Sequence, residues 1–161
     1  MTSWCYNLLC IGEPEDSDES ELHPRLAEAI QNIKDTDNLM AQETIKVLNS
    51  NQLEIRPLES LCQEEYQIIR ADGDPEHRDH LAGTLGLFVH PNRIFISLNQ
   101  HLIELERTIV HEVQHYCNHQ DGYRSPIEDE MLAIEAEDRY SGRYITRKYI
   151  KDLRACLEPD F

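Results

Sequence analysis

The sequence predicts an α+β fold: helices first, then a small mixed β-sheet with a hairpin at its edge, then two antiparallel helices. Three observations carry that reading. Leu102, Leu105, Ile109, Val113 and Tyr116 recur at steps of three and four, which is the apolar stripe of a helix with one face in a core. Thr84–Val89 and Arg93–Ser97, rich in β-branched and aromatic residues, flank the turn His90-Pro91-Asn92 and read as a β-hairpin. Asp121-Gly122-Tyr123-Arg124 then stops the helix. Ser125-Pro126-Ile127-Glu128 starts another, with Ser as N-cap, Pro in the first turn and Glu closing a capping box. So short a connection makes the two helices antiparallel neighbours.

In chain order, Trp4–Ile11 reads as a first strand; it is too short and lacks the basic flank of a signal peptide. Gly12–Glu21 is a solvated acidic loop by composition. His23-Pro24 opens a helix with Leu26, Ala27, Ile30 and Ile33 on one face, and Asp37-Asn38-Leu39 opens a second carrying Met40, Ile45 and Leu48, ended by Asn49-Ser50-Asn51. Leu53–Arg56 and Tyr66–Ile69 are short strand candidates. Ala71–Gly83 reads as a mobile polar loop; its His77-Arg78-Asp79-His80 is a weak metal signal, having neither a helix nor a cysteine pair behind it. The last helix runs from Pro126 to about Tyr140, and Ser141-Gly142 breaks it.

With 161 residues, 40% of them hydrophobic and 29% charged, the chain reads as one domain, residues 1–161, able to bury a core without staples. A net charge of −16 argues against nucleic acid and anionic membranes as partners, and no run approaches the roughly 18 apolar residues of a membrane span. Five scattered cysteines, an odd number with no C-x-x-C, predict reduced thiols and a cytoplasmic setting, with secretion by a non-classical route left open.

The chemistry concentrates in His111-Glu112-Val113-Gln114-His115, an H-E-x-x-H on the striped helix. Residues i and i+4 lie roughly 40° apart around a helix, so both imidazoles point one way and can reach a single Zn²⁺. Glu112 sits about 100° further round, off the metal but within reach of a water on it, the place of a general base. A third ligand has to come from elsewhere. The antiparallel helix brings a position near Glu130 or Met131 opposite His115, and Glu130 is preferred to Glu135, which shares a stripe with Glu128 and Arg139. Cys117, two residues beyond His115, reads as packing rather than as a nucleophile.

The combination of H-E-V-Q-H with a glutamate on the next helix resembles the gluzincin metallopeptidases, of which thermolysin is the familiar member. Glu130-Met131-Leu132-Ala133 matches the E-x-x-A setting found in several of their groups, including clostridial neurotoxin light chains, CAAX-type membrane proteases and a group of type III effector proteases. Thermolysin's own spacing would instead select Glu135, and Arg139 stands where its following acid would be. The resemblance covers about residues 84–149. It implies a zincin-like fold and zinc-dependent peptide hydrolysis, with His111, His115 and Glu130 on the metal and Glu112 as base. It also implies an extended peptide added to an edge strand at Thr84–Val89. The cluster Arg143, Tyr144, Arg147 and Tyr149 could supply the group that stabilises the oxyanion. Two other functions fit the same residues: a non-catalytic module with structural zinc, and an effector or toxin protease acting in a foreign cell.

Overall fold

The computed structural model describes residues 21–62, 64–66, 84–122 and 124–142. The expectations for Trp4–Ile11, for the acidic run up to residue 20, for Gln67–Gly83 and for the Arg143–Tyr149 cluster fall outside them. The architecture is α+β. Two helices, α1 (Pro24–Asp35) and α2 (Leu39–Leu48), precede strand β1 (Glu54–Pro57). A single 3₁₀ turn, Leu58–Ser60, follows, and the hairpin strands are β2 (Gly86–Val89) and β3 (Arg93–Ile96). Helices α3 (Leu102–Asp121) and α4 (Pro126–Ser141) complete the described elements.

Local chemistry sets the helix ends. Asn38 caps α2, its Oδ1 accepting from the Ala41 N–H at 2.8 Å, and Ser125 Oγ caps α4 from the Glu128 N–H at 3.3 Å. Gly122 ends α3 with φ of 118°, a backbone conformation that L side chains rarely adopt. The sheet is mixed, in the order β1-β3-β2: β1 pairs parallel with β3, and β2 pairs antiparallel with it. Among the described residues β2 is therefore an edge strand.

Alternation along β3 divides the core in two. Ile94 and Ile96 face α3 and join Leu26, Ile33, Leu105, Ile109, Val110 and Val113 in the main core. Phe95 points the other way, packing with Leu87, Leu58, Leu61 and Tyr66. Tyr66 corrects one expectation. It lies in a helical segment described at 64–66, its N–H bonded to Cys62 O at 3.0 Å, and not in a strand. Its buried ring and its hydroxyl contact with Thr84 at 2.6 Å fix it under the sheet, and that tertiary setting outweighs the β propensity of tyrosine. A second correction concerns α1, which buries Leu26, Ala29 and Ile33 and leaves Ala27 exposed. A 3.6-residue period admits either alanine, and packing against α3 selects between them.

Helix α3 is the axis of the described fold, in contact with α1, α2, α4, β2 and β3. A buried polar knot fixes its surroundings. Tyr140 donates to Glu106 Oε1 at 2.6 Å while Asn32 donates to Glu106 Oε2 at 3.1 Å, so α1, α3 and α4 meet at one carboxylate. Burial beside that charge pushes the Tyr140 phenol up to about 12. Ile109 lies fully buried at the centre of this packing. Ile109→Ala is expected to cost about 2–5 kcal/mol in urea unfolding at unchanged m-value. A loss below about 1 kcal/mol would mean that α3 is not the packing axis.

Candidate metal centre

His111 and His115 stand one turn apart on α3, and α4 runs back past them. The antiparallel pairing brings Glu130 over both rings. Glu130 Oε1 lies 3.1 Å from His111 Nε2, Glu130 Oε2 lies 3.3 Å from His115 Nε2, and the two Nε2 atoms are 3.1 Å apart. A tetrahedral ion with bonds of about 2.0–2.1 Å needs its donors roughly 3.3 Å from one another. Each Glu130 oxygen stands about that far from one imidazole nitrogen, and the two nitrogens stand about that far from each other. Among the described residues this trio is the group whose ligand atoms gather closely enough to hold a metal. Glu135 is elsewhere: it is half exposed and pairs with Arg139 at 2.6 Å, on the stripe expected to face solvent.

The far nitrogen of each ring also faces a carboxylate. Asp129 Oδ2 lies 2.8 Å from His115 Nδ1, and Asn118 donates to Asp129 Oδ1 at 2.8 Å while receiving a bond from Gln114 at 2.7 Å. Glu137 Oε1 stands 3.3 Å from His111 Nδ1, near enough for ionic attraction but without the alignment of a hydrogen bond. Arg107 then lies 3.7 Å from the other Glu137 oxygen. A carboxylate behind each imidazole favours a proton on Nδ1 and leaves Nε2 as the free donor, the arrangement that histidine ligands to metals show. Asp129, Glu137, Asn118 and Gln114 escaped sequence reasoning. Two signals were available: Glu137 is seven residues from Glu130, two turns down the same face of α4, and Asn118 is one turn from His115.

Glu112 occupies the next position round the helix, buried and facing β2. Gly86 explains how the strand comes so close. A Cβ on Gly86 would fall 2.6 Å from Glu112 Oε1 and 2.7 Å from Thr108 Cγ2, so only glycine permits this approach. Thr108 adds a tether, donating to Gln100 Oε1 at 3.0 Å, while Gln100 donates to Leu85 O at 3.3 Å. Between β2 and the two helices lies a cleft of about 320 Å³, bordered by Gly86, Phe88, His111, Glu112, His115 and Glu130. Searches against family models, curated proteins and solved structures found no match.

The backbone of β2 also faces this cleft. Ser97 N–H bonds to Leu85 O at 2.8 Å, which makes 85 and 97 a hydrogen-bonded pair. Alternation in the antiparallel register then turns the N–H and C=O groups of Leu87 and Val89 toward β3, and those of Gly86 and Phe88 toward the open edge.

Electrostatics follow from the crowding of carboxylates round two imidazoles. Burial pulls the His111 pKa down, but the Glu130 and Glu137 carboxylates outweigh it and lift it to about 10. His115 is raised to about 9, with Asp129 and Glu130 overcoming the same burial. Burial works against the Glu130 charge too, yet the two imidazoles hold its carboxyl well below the usual range. Glu112 goes the other way: burial raises its pKa, only partly offset by the imidazoles. The Cys117 thiol is pushed up by burial and by the nearby carboxylates Asp121 and Glu43, which removes any basis for a thiolate nucleophile.

In the metal-free protein the raised imidazoles contribute stability that is complete below their ordinary 6.5 and is lost as pH rises through about 9 and 10. The upward shift of Glu112 has the same sign, acting from its ordinary 4.5 upward. The melting temperature of chelator-treated protein is therefore expected to fall steadily above pH 6.5. The difference between zinc-loaded and metal-free protein should widen over the same range, because a metal replaces protons that alkali removes. Metal-free melting that is flat from pH 6.5 to about 10 would contradict the charge balance described.

Proposed function

We propose that this protein is a zinc-dependent peptidase with a zincin-like fold. The observation that carries the reading is the convergence of His111, His115 and Glu130 on one point, with Glu112 beside it. The donor set and its spacing fit Zn²⁺, with the two imidazoles and one carboxylate as ligands and a fourth position left open. Zn²⁺ in such a site supplies Lewis acidity, lowering the pKa of water and polarising a carbonyl. This chain's residues supply the rest. Among the described residues Glu112 accepts no hydrogen bond, so its carboxylate is unencumbered and, being raised by burial, more basic than an ordinary glutamate. It takes the proton from the attacking water and delivers it to the departing amine. Asp129 and Glu137 keep the imidazoles oriented. An extended peptide pairs with the outward groups of Gly86 and Phe88 on the β2 edge, which brings its carbonyl over Glu112. The resemblance of the H-E-x-x-H and E-x-x-A segments to gluzincin peptidases supports the same assignment.

Three variants test this reading. Glu130→Gln is expected to weaken zinc retention sharply, and Glu135→Gln to leave it intact. Glu112→Gln should retain one zinc per chain and the native melt, yet cleave a diverse peptide pool at least about 10²–10⁴-fold more slowly. Equal cleavage by the wild type and Glu112→Gln, or no cleavage by the wild type, would contradict hydrolysis and leave the zinc a structural role.

A further inference from the structure

Beside the cleft, at the C-terminal end of α3, lies a second cavity of about 410 Å³ that shares Phe88, His115 and Asp129 with it. Phe88 and His119 form an aromatic wall, their ring centroids 5.9 Å apart. Most polar groups along this cavity already have partners. The two Asp129 oxygens meet His115 and Asn118, and Asn118 meets Gln114 as well.

Arg124 is different. Gly122 turns the chain out of α3 and Ser125 caps α4, so Arg124 is held in the short connection between two fixed ends. Its Nε is buried and, among the described residues, has no hydrogen-bond partner. Among the described residues the carboxylate that approaches it is Asp121, 3.8 Å from Nη2, beyond hydrogen-bond distance and itself mostly exposed. A guanidinium offers five donors in a planar fork that matches a carboxylate. In a chain with 31 acidic residues against 15 Lys and Arg, an arginine beside the proposed centre with no carboxylate of the described residues in hydrogen-bond reach is poised for one from outside.

We infer that this cavity is a specificity pocket for a carboxylate of the peptide substrate, recognised by Arg124. The inference rests on the peptidase reading above. The strand direction says which part of the substrate enters it. Gly86 lies against Glu112, Phe88 against Tyr116 and His119, and His90 against His119, so β2 and α3 run the same way. A peptide added antiparallel to β2 carries its N-terminal residues toward His119 and Arg124. The carboxylate is therefore an Asp or Glu side chain on the N-terminal side of the scissile bond, and not the free C-terminus.

Binding tests this without requiring turnover. Zinc-loaded full-length Glu112→Gln is titrated with fluorescent peptide pools in which each position in turn is fixed as Glu, Gln or Lys, with free and with amidated C-termini. One N-terminal-side position is expected to favour Glu over Gln roughly 10- to 100-fold, the scale of a charge-assisted hydrogen bond, and amidation should change nothing. Adding Arg124→Gln should abolish the preference, Arg124→Lys should keep part of it, and Arg124→Glu should turn it toward Lys, with melts confirming the fold of each. A Glu preference absent with Arg124 present, or unchanged in Arg124→Gln, overturns the inference. A preference that disappears on amidation supports Arg124 but moves the carboxylate to the chain end. Cleavage of the same pools by the wild type separates the two claims. Arg124-dependent binding without cleavage contradicts only the peptidase reading, and cleavage indifferent to Arg124 contradicts only the pocket.

Discussion

Everything at the candidate centre depends on the packing of α4 antiparallel against α3. Two imidazoles one turn apart are a common helix-surface feature and hold a metal poorly. They become a three-donor face only because Glu130 is set across them, within 3.3 Å of both. That placement is fixed at both ends of the helix pair. Near the turn, Gly122 and Ser125 define a short connection, and Asn118 of α3 bonds both the backbone and the side chain of Asp129 in α4. At the far end Tyr140 bonds Glu106, and Asn38, the N-cap of α2, donates to the Tyr140 carbonyl. The fold's apolar work, from Leu105 through Val113, lies on the opposite side of α3, which leaves the histidine face free for chemistry.

The centre gathers four carboxylates, Glu112, Asp129, Glu130 and Glu137, round two imidazoles and Arg107. Without a metal, protons on His111 and His115 are what balance that charge, which is why both are lifted so far above 6.5. A divalent cation would take over the balance while freeing the imidazoles to act as neutral donors. The carboxylates are not equivalent. Three face imidazoles, while Glu112 is raised by burial and faces the strand edge, so on the proposed reading one buried cluster would supply both ligands and a base by differences of environment alone.

Much of this was legible because the signals are local. Ser125-Pro126 and Gly122 mark helix ends through their own backbone and side-chain chemistry, and the hairpin announces itself by alternation round a turn. The i, i+4 spacing of His111 and His115 is a property of any helix, and a short connection suffices to place Glu130 nearby. What escaped reading depends on tertiary detail. Glu137 and Asp129 act only because α4 is rotated to a particular angle about its axis. Gly86 matters only because a strand passes within contact of Glu112, and nothing in its neighbours in sequence reports that. Tyr66 carries the β propensity of an aromatic residue, and propensity does not report the underside of a sheet. Burial of Ala29 in place of Ala27 is likewise decided by the partner helix.

The central claim is that the donors of His111, His115 and Glu130 form a ready zinc site, and X-ray absorption at the zinc edge of metal-loaded protein tests it most directly. The expected result is one zinc per chain in a shell of about four nitrogen and oxygen neighbours at about 2.0–2.1 Å, with the outer-shell signature of two imidazoles. Failure to retain stoichiometric zinc, a shell containing sulfur, or an all-oxygen shell without imidazole scattering would contradict it.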